Sequence, residues 1–132
     1  MSSLMPSQRE MIFTIIKPGF LDKSQKIIDL FKARGWDVLM TTTKQLLLSQ
    51  AHELYAVHKN KDFYDDLCEY MSSDRSMAII FERPGRTDKS TFEEVKNLKD
   101  TIRKRWGIDD CKNVLHSSDS FSAMTHEMGI YF

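Results

Sequence analysis

The sequence predicts an α+β fold, a four-stranded antiparallel sheet with helices packed on one face. Two observations carry this. Strand-like and helix-like apolar patterns succeed one another in the order β-α-β-(αα)-β-α-β-α. Two β-α-β units with antiparallel neighbours make a ferredoxin-like βαββαβ sandwich, to which the remaining helices are additions. A length of 132 residues gives room for one core and not for two. No repeat or linker divides the chain, so a single domain over 1–132 is expected, with residues 1–8 polar and loose.

Each element has its own signal. Residues 11–16 are a nearly continuous, β-branched apolar run, the pattern of a central strand covered on both faces. Lys17-Pro18-Gly19 ends it, because proline has no N–H for the ladder. Residues 24–34 read as a helix with Ile27, Leu30 and Phe31 on one face and Gly35 as the stop. Residues 36–48 alternate loosely and are rich in Thr, as a long strand or hairpin arm would be. Ser49 is expected to cap a helix reaching His58, and Asp62 another bearing Phe63, Leu67, Tyr70 and Met71 on one side. Residues 76–82 form a third strand, and 83–86 a Pro-Gly loop. Ser90-Thr91-Phe92-Glu93 has the spacing of a capping box, opening a helix with Phe92, Val95 and Leu98 inward. Residues 101–106 are a separate basic helical turn closed by Gly107. The last strand is expected at 113–115 and the last helix at 122–132, with Phe121, Met124, Met128 and Tyr131 as its apolar stripe.

The bulk chemistry excludes several classes. The 19 basic and 19 acidic residues cancel, which argues against a broad nucleic-acid or anionic-membrane surface. No apolar run is long enough to cross a bilayer, and no signal peptide is expected, because the first residues lack a basic region followed by an apolar stretch. Two cysteines make no disulfide framework and lack metal-ligand spacing. A cytoplasmic setting is expected. The eight methionines sit mostly at core-like positions and read as gap fillers.

Chemistry concentrates in Asn113-Val114-Leu115-His116-Ser117-Ser118-Asp119. An apolar pair delivers a histidine to a strand end, small polar residues follow, and the next helix contains Glu127. Histidine alone has an unperturbed pKa that leaves a neutral nucleophile near pH 7. Lys17 leaves the first strand, Arg103 lies on a short helix and Asn113 opens the histidine's strand. Two cations and an amide around an imidazole suit a phosphate, because arginine donates two parallel hydrogen bonds and lysine supplies a point charge. Neither G-x-x-x-x-G-K-[ST] nor G-x-G-x-x-G is present, so no glycine cradle is expected. From residue types alone, the bland reading competes: a histidine beside serines is commonly a structural hydrogen-bonder, and Arg103-Lys104-Arg105 a solvated helix face.

The chain resembles the nucleoside diphosphate kinases over nearly its full length. The matching blocks are Phe13-Thr14-Ile15-Ile16-Lys17-Pro18, then Leu54-Tyr55-Ala56-Val57-His58 with Phe63-Tyr64, Glu69 to Ser73, and Thr101-Ile102-Arg103. The most specific are Asn113 to Ser120 and Glu127-Met128-Gly129-Ile130-Tyr131-Phe132. Trp106-Gly107-Ile108-Asp109 is similar to the divergent branch found in ciliary multidomain members. The resemblance implies ping-pong transfer of a γ-phosphate between nucleoside tri- and diphosphates through a phosphohistidine at Nδ1 of His116. It implies that Glu127 fixes the ring, with Ser118 assisting. Lys17, Tyr55 and Arg103 would contact phosphates, Asn113 the sugar, and Phe63 the base with Leu67 nearby. Mg²⁺ would be held by the nucleotide phosphates and water, with no protein metal cage.

Three departures modify that expectation. The loop that precedes the Thr-Ile-Arg block in the family is nearly absent, since Leu98-Lys99-Asp100 runs straight into Thr101. Lys96 stands nearest the place of a family arginine, and a family threonine has no counterpart. Ser117 replaces the glycine after the histidine, putting a β-carbon where it would crowd the nucleophile. A homo-oligomer, dimer or hexamer, is expected, the dimer because the shortened loop and the early stop after the last helix remove family contacts. The alternative function is a catalytically weakened nucleotide-binding or interaction module of the same fold; a regulatory domain without nucleotide is a third.

Overall fold

The computed structural model describes residues 8–132. It contains β1 (Arg9–Ile16), α1 (Ser24–Lys32), β2 (Asp37–Lys44), α2 (Leu48–Leu54), α3 (Tyr64–Ser72), β3 (Ser76–Pro84), α4 (Lys89–Trp106), β4 (Leu115–Ser117) and α5 (Phe121–Tyr131), with 3-10 turns at Leu21–Lys23 and Ala56–His58. The strands order as β2-β3-β1-β4, every neighbouring pair antiparallel. This is the expected ferredoxin-like α+β sheet. The expected loose segment lies outside the described residues except for Gln8.

Helices cover both faces of the sheet, not one. Alternation along β1 explains this: Phe13 and Ile15 point to one side, Ile12 and Ile16 to the other, and all four are at most 1% exposed. Ile12 and Ile16 pack with Ile27 and Phe31 of α1 and with Val95, Leu98 and Ile102 of α4. Phe13 and Ile15 pack with Ala51, Leu54, Leu67, Met71, Met124 and Ile130 from α2, α3 and α5. The added helices therefore build a second core layer, and the site described below lies on their side.

Several boundaries differ from the sequence expectation. The α2 helix starts at Leu48, where the Gln50 side chain accepts the Leu47 N–H, so Ser49 is inside the helix. The cap of α4 is Asp88, whose carboxylate accepts the Ser90 and Thr91 N–H groups, two residues before the expected one. Residues 101–106 are no separate turn: α4 runs unbroken for 18 residues to Gly107. The last strand lies at Leu115–Ser117, not at 113–115. Val114 causes that shift, because its φ of 81° is left-handed and cannot continue a strand. For a β-branched residue this conformation costs about 1–3 kcal/mol. Complete burial of its side chain and the bond from the Lys17 N–H to its carbonyl, 2.8 Å, hold it.

Candidate active site

β4 is an edge strand of three residues, and antiparallel pairing sets His116 opposite Ile15. Its imidazole thus shares the face of the α2, α3 and α5 layer. Leu115, one residue earlier, turns into the α1 and α4 core. Ser117, one residue later, alternates to the opposite face of β4, yet it still lines the histidine's cleft. His116 lines a cleft of about 440 Å³ together with Tyr55, His58, Ser117, Asp119 and Glu127.

Glu127 fixes the ring. Its Oε1 lies 2.6 Å from His116 Nε2 and also accepts the Ser118 hydroxyl at 2.7 Å. Helix α5 delivers this carboxylate, and Ser120 starts that helix by accepting the Ala123 N–H. A carboxylate at Nε2 requires the proton there, which leaves the Nδ1 lone pair uncommitted. Burial holds the imidazole below its ordinary pKa, against the upward pull of Glu127, so the neutral form prevails at pH 7. Burial also drives the Glu127 carboxyl upward, but the bond and charge of His116 and the Ser118 hydroxyl outweigh it and leave it below the usual range.

The cations come from two directions. Lys17, 2% exposed at the end of β1, donates from Nζ to the Cys111 carbonyl at 3.2 Å and stands 6.0 Å from the Tyr55 ring centre. Burial and the neighbouring Arg103 charge lower its pKa to about 7. Arg103 reaches the edge of β4, donating through Nε and Nη2 to the Leu115 carbonyl at 3.1 and 2.8 Å. The Tyr55 ring meets His116 edge-on at 5.7 Å. Its buried hydroxyl has no hydrogen-bond partner among the described residues, and neither does Oδ1 of Asn113. An unpaired buried polar atom costs about 1–3 kcal/mol; Tyr55 lines the histidine's cleft, Asn113 lies three residues before His116, and the third such atom among the described residues, Trp36 Nε1, lies in the opposite core. Asn113 is positioned by its own amide, which donates to the Asp110 carbonyl at 2.8 Å.

Phe63 is not part of the α3 apolar face. It is the N-cap residue, outside the helix and 41% exposed, tilted against His58 at 5.5 Å between ring centres. Leu67, by contrast, is 5% exposed and belongs to the core, so the surface expected of both residues is offered by Phe63. Lys96 is exposed on α4 and lines a second cleft with Lys99, Ser117, Ser118 and Asp119. Sequence reasoning missed Lys99. It lies four residues before Arg103, one turn of the same helix face, and that spacing was the available signal.

A family model for nucleoside diphosphate kinase matches residues 10–132. The chain belongs to the nucleoside diphosphate kinase family. The enzyme class expected from the sequence, a nucleotide phosphotransferase, is the class of that family. The chain is 35% identical to a nucleoside diphosphate kinase of Thermoplasma volcanium, over 81% of this chain and 76% of that protein. It is 30% identical to one from Kosmotoga olearia, over 93% of this chain and 88% of that protein. The solved structure of the Aquifex aeolicus nucleoside diphosphate kinase superposes with a TM-score of 0.78 at 27% identity, covering 95% of this chain and 96% of the other. Among the described residues, no helix is long and apolar enough to cross a membrane.

Proposed function

We propose that the chain transfers the γ-phosphate of a nucleoside triphosphate to a nucleoside diphosphate through a phosphohistidine on His116. The observation that carries this reading is the Glu127 bond to Nε2, which leaves Nδ1 as a neutral nucleophile at a cleft. In the first half-reaction the Nδ1 lone pair attacks the γ-phosphorus. The P–N bond forms as the bond to the bridging oxygen breaks, and the diphosphate leaves with that electron pair. The ring then carries positive charge, which Glu127 offsets across Nε2. A second nucleoside diphosphate reverses these steps and recovers free His116. Storing the phosphoryl group on the protein lets one cleft serve donor and acceptor in turn.

Lys17 and Arg103 supply cationic charge to the phosphate oxygens, and the Tyr55 hydroxyl donates to one of them. Asn113 Oδ1 accepts from a sugar hydroxyl. Phe63 and His58 offer a surface on which a base stacks without being read. Mg²⁺ neutralises phosphate charge in such reactions. Among the described residues no three His, Cys, Asp or Glu side chains gather as a metal cage. The exposed Asp119 carboxylate lines both clefts and would be the hard oxygen donor available to such an ion.

The unbroken α4 favours the weakened module as the second reading, because it leaves fewer side chains to meet phosphates than the family pattern supplies. A coupled assay of phosphate exchange from ATP to GDP separates the two. Exchange by the wild-type chain that vanishes in His116→Ala supports transfer, whereas ADP binding without exchange supports the module. A cytoplasmic setting, where nucleotides are abundant, suits either. A homo-oligomer, as a dimer, is proposed as well. Val38, Leu39 and Met40 on β2, whose outer edge has no partner strand among the described residues, are 36–49% exposed and offer a surface for it.

A further inference from the structure

One cation near His116 has no part in the account above. Lys99 is half-buried on α4, four residues, about one helical turn, before Arg103 on the same face. It lines a cleft of about 250 Å³ whose far wall is Ser117, Ser118 and Asp119, the residues that follow the histidine. No carboxylate forms an ion pair with it among the described residues, and burial with the Arg103 charge holds its pKa below the ordinary lysine value, outweighing the opposite pull of Asp100 and of Asp119 in the same cleft. Its charge nevertheless reaches the site, since it disfavours protonation of both His116 and Lys17. Partial burial of an unpaired ammonium beside two further cations is unfavourable in the free protein. A helix face that keeps such a group at a cleft mouth is arranged for an anion that neutralises all of them together.

We infer that Lys99 is a phosphate-binding residue, which takes up the charge of a nucleotide's outer phosphates jointly with Lys17 and Arg103. This rests on the phosphotransfer reading of the site. It also assigns a cation to the stretch where Leu98-Lys99-Asp100 runs directly into Thr101, with Lys99 and not the more exposed Lys96 in that role. Because its contact is with phosphate, its effect must scale with the charge of the ligand and not with the base or sugar.

Calorimetric titration of the full chain with ADP and with adenosine tests this. Lys99→Ala and Lys99→Met should each raise the Kd for ADP by about tenfold or more, as loss of a charge-assisted bond does, and leave adenosine binding unchanged. Lys99→Arg should restore most of the ADP affinity. Lys104→Ala, on an exposed position of the same helix, is the control for general loss of positive charge. Unchanged ADP affinity in both Lys99 variants, beside a wild type that binds and exchanges, overturns the inference alone. Equal losses for ADP and adenosine with a lowered Tm overturn it in favour of a structural role. A wild type that binds no ADP overturns it together with the reading on which it rests.

Discussion

Glu127 accepts two hydrogen bonds at a single oxygen, from His116 Nε2 at 2.6 Å and from the Ser118 hydroxyl at 2.7 Å. The serine holds the carboxylate, and the carboxylate holds the ring. Glu127→Gln keeps the shape and removes the charge. Loss of one charge-assisted bond, about 1.5–3 kcal/mol, should lower kcat by about tenfold to a hundredfold, with a smaller change in KM. Both the bond and the charge of Glu127 raise the His116 pKa, so the variant should titrate at still lower pH than the wild type. Imidazole nitrogen NMR through a pH series measures this directly. An unmoved titration in Glu127→Gln would show that the carboxylate does not set the ring's protonation.

Lys17 gives the pH dependence of binding. Its pKa of about 7 in the folded chain lies below the ordinary lysine value of 10.5. Between those values the unfolded chain holds a proton that the folded chain has released. Stability from this group therefore rises with pH from about 7 to 10.5, by at most about 1.4 kcal/mol per pH unit. Below about pH 7 the cost of burying the charge is met in full. A bound phosphate reverses the preference by pairing with the ammonium. ADP binding should then take up close to one proton near pH 8 and weaken from pH 7.5 to 9, a range in which phosphate itself is already ionised. Calorimetry in buffers of differing ionisation enthalpy reads the proton count. In Lys17→Met the proton uptake should disappear, and the slope of urea-unfolding stability against pH should flatten.

Arg83 makes a contrast, because its cluster is remote from the histidine. It forms two 2.8 Å bonds to the Glu94 carboxylate, contacts Glu10 and lies 4.0 Å over the Trp36 ring. Arg83→Ala leaves Glu10, only 8% exposed, without its cation. The expected cost is about 2–3 kcal/mol of stability, read as a lower urea midpoint, with kcat unchanged. A fall in kcat at full stability would mean that this cluster communicates with the site.

How much of this was legible in the sequence differs from element to element. The strands at the start of the chain and after α3 were plain, since continuous β-branched runs between helical patterns admit few readings. The histidine and Lys17 stood out because each follows an apolar strand segment whose burial fixes where the next residue stands, whereas Glu127, in mid-helix after Thr125 and His126, was given its role only through the family resemblance. The exposure of Phe63 was expected only through the family resemblance; by helical spacing it belongs to the core, and it escapes burial because α3 begins one residue later, at Tyr64. The position of β4 was not legible, because a left-handed Val114 contradicts the local preference of valine and is imposed by tertiary packing. Lys99 escaped for a related reason. With α4 divided at residues 98–101, its four-residue spacing from Arg103 had no meaning; in one continuous helix the two share a face.

Phosphate trapped on the chain itself tests the central claim most directly. Wild-type chain incubated with γ-labelled ATP and Mg²⁺, then freed of nucleotide, should carry label that is stable to base and released by acid. That label should pass to added GDP and be absent from His116→Ala. Label that persists in His116→Ala, or a wild type that never becomes labelled while it exchanges phosphate between nucleotides, would contradict the account.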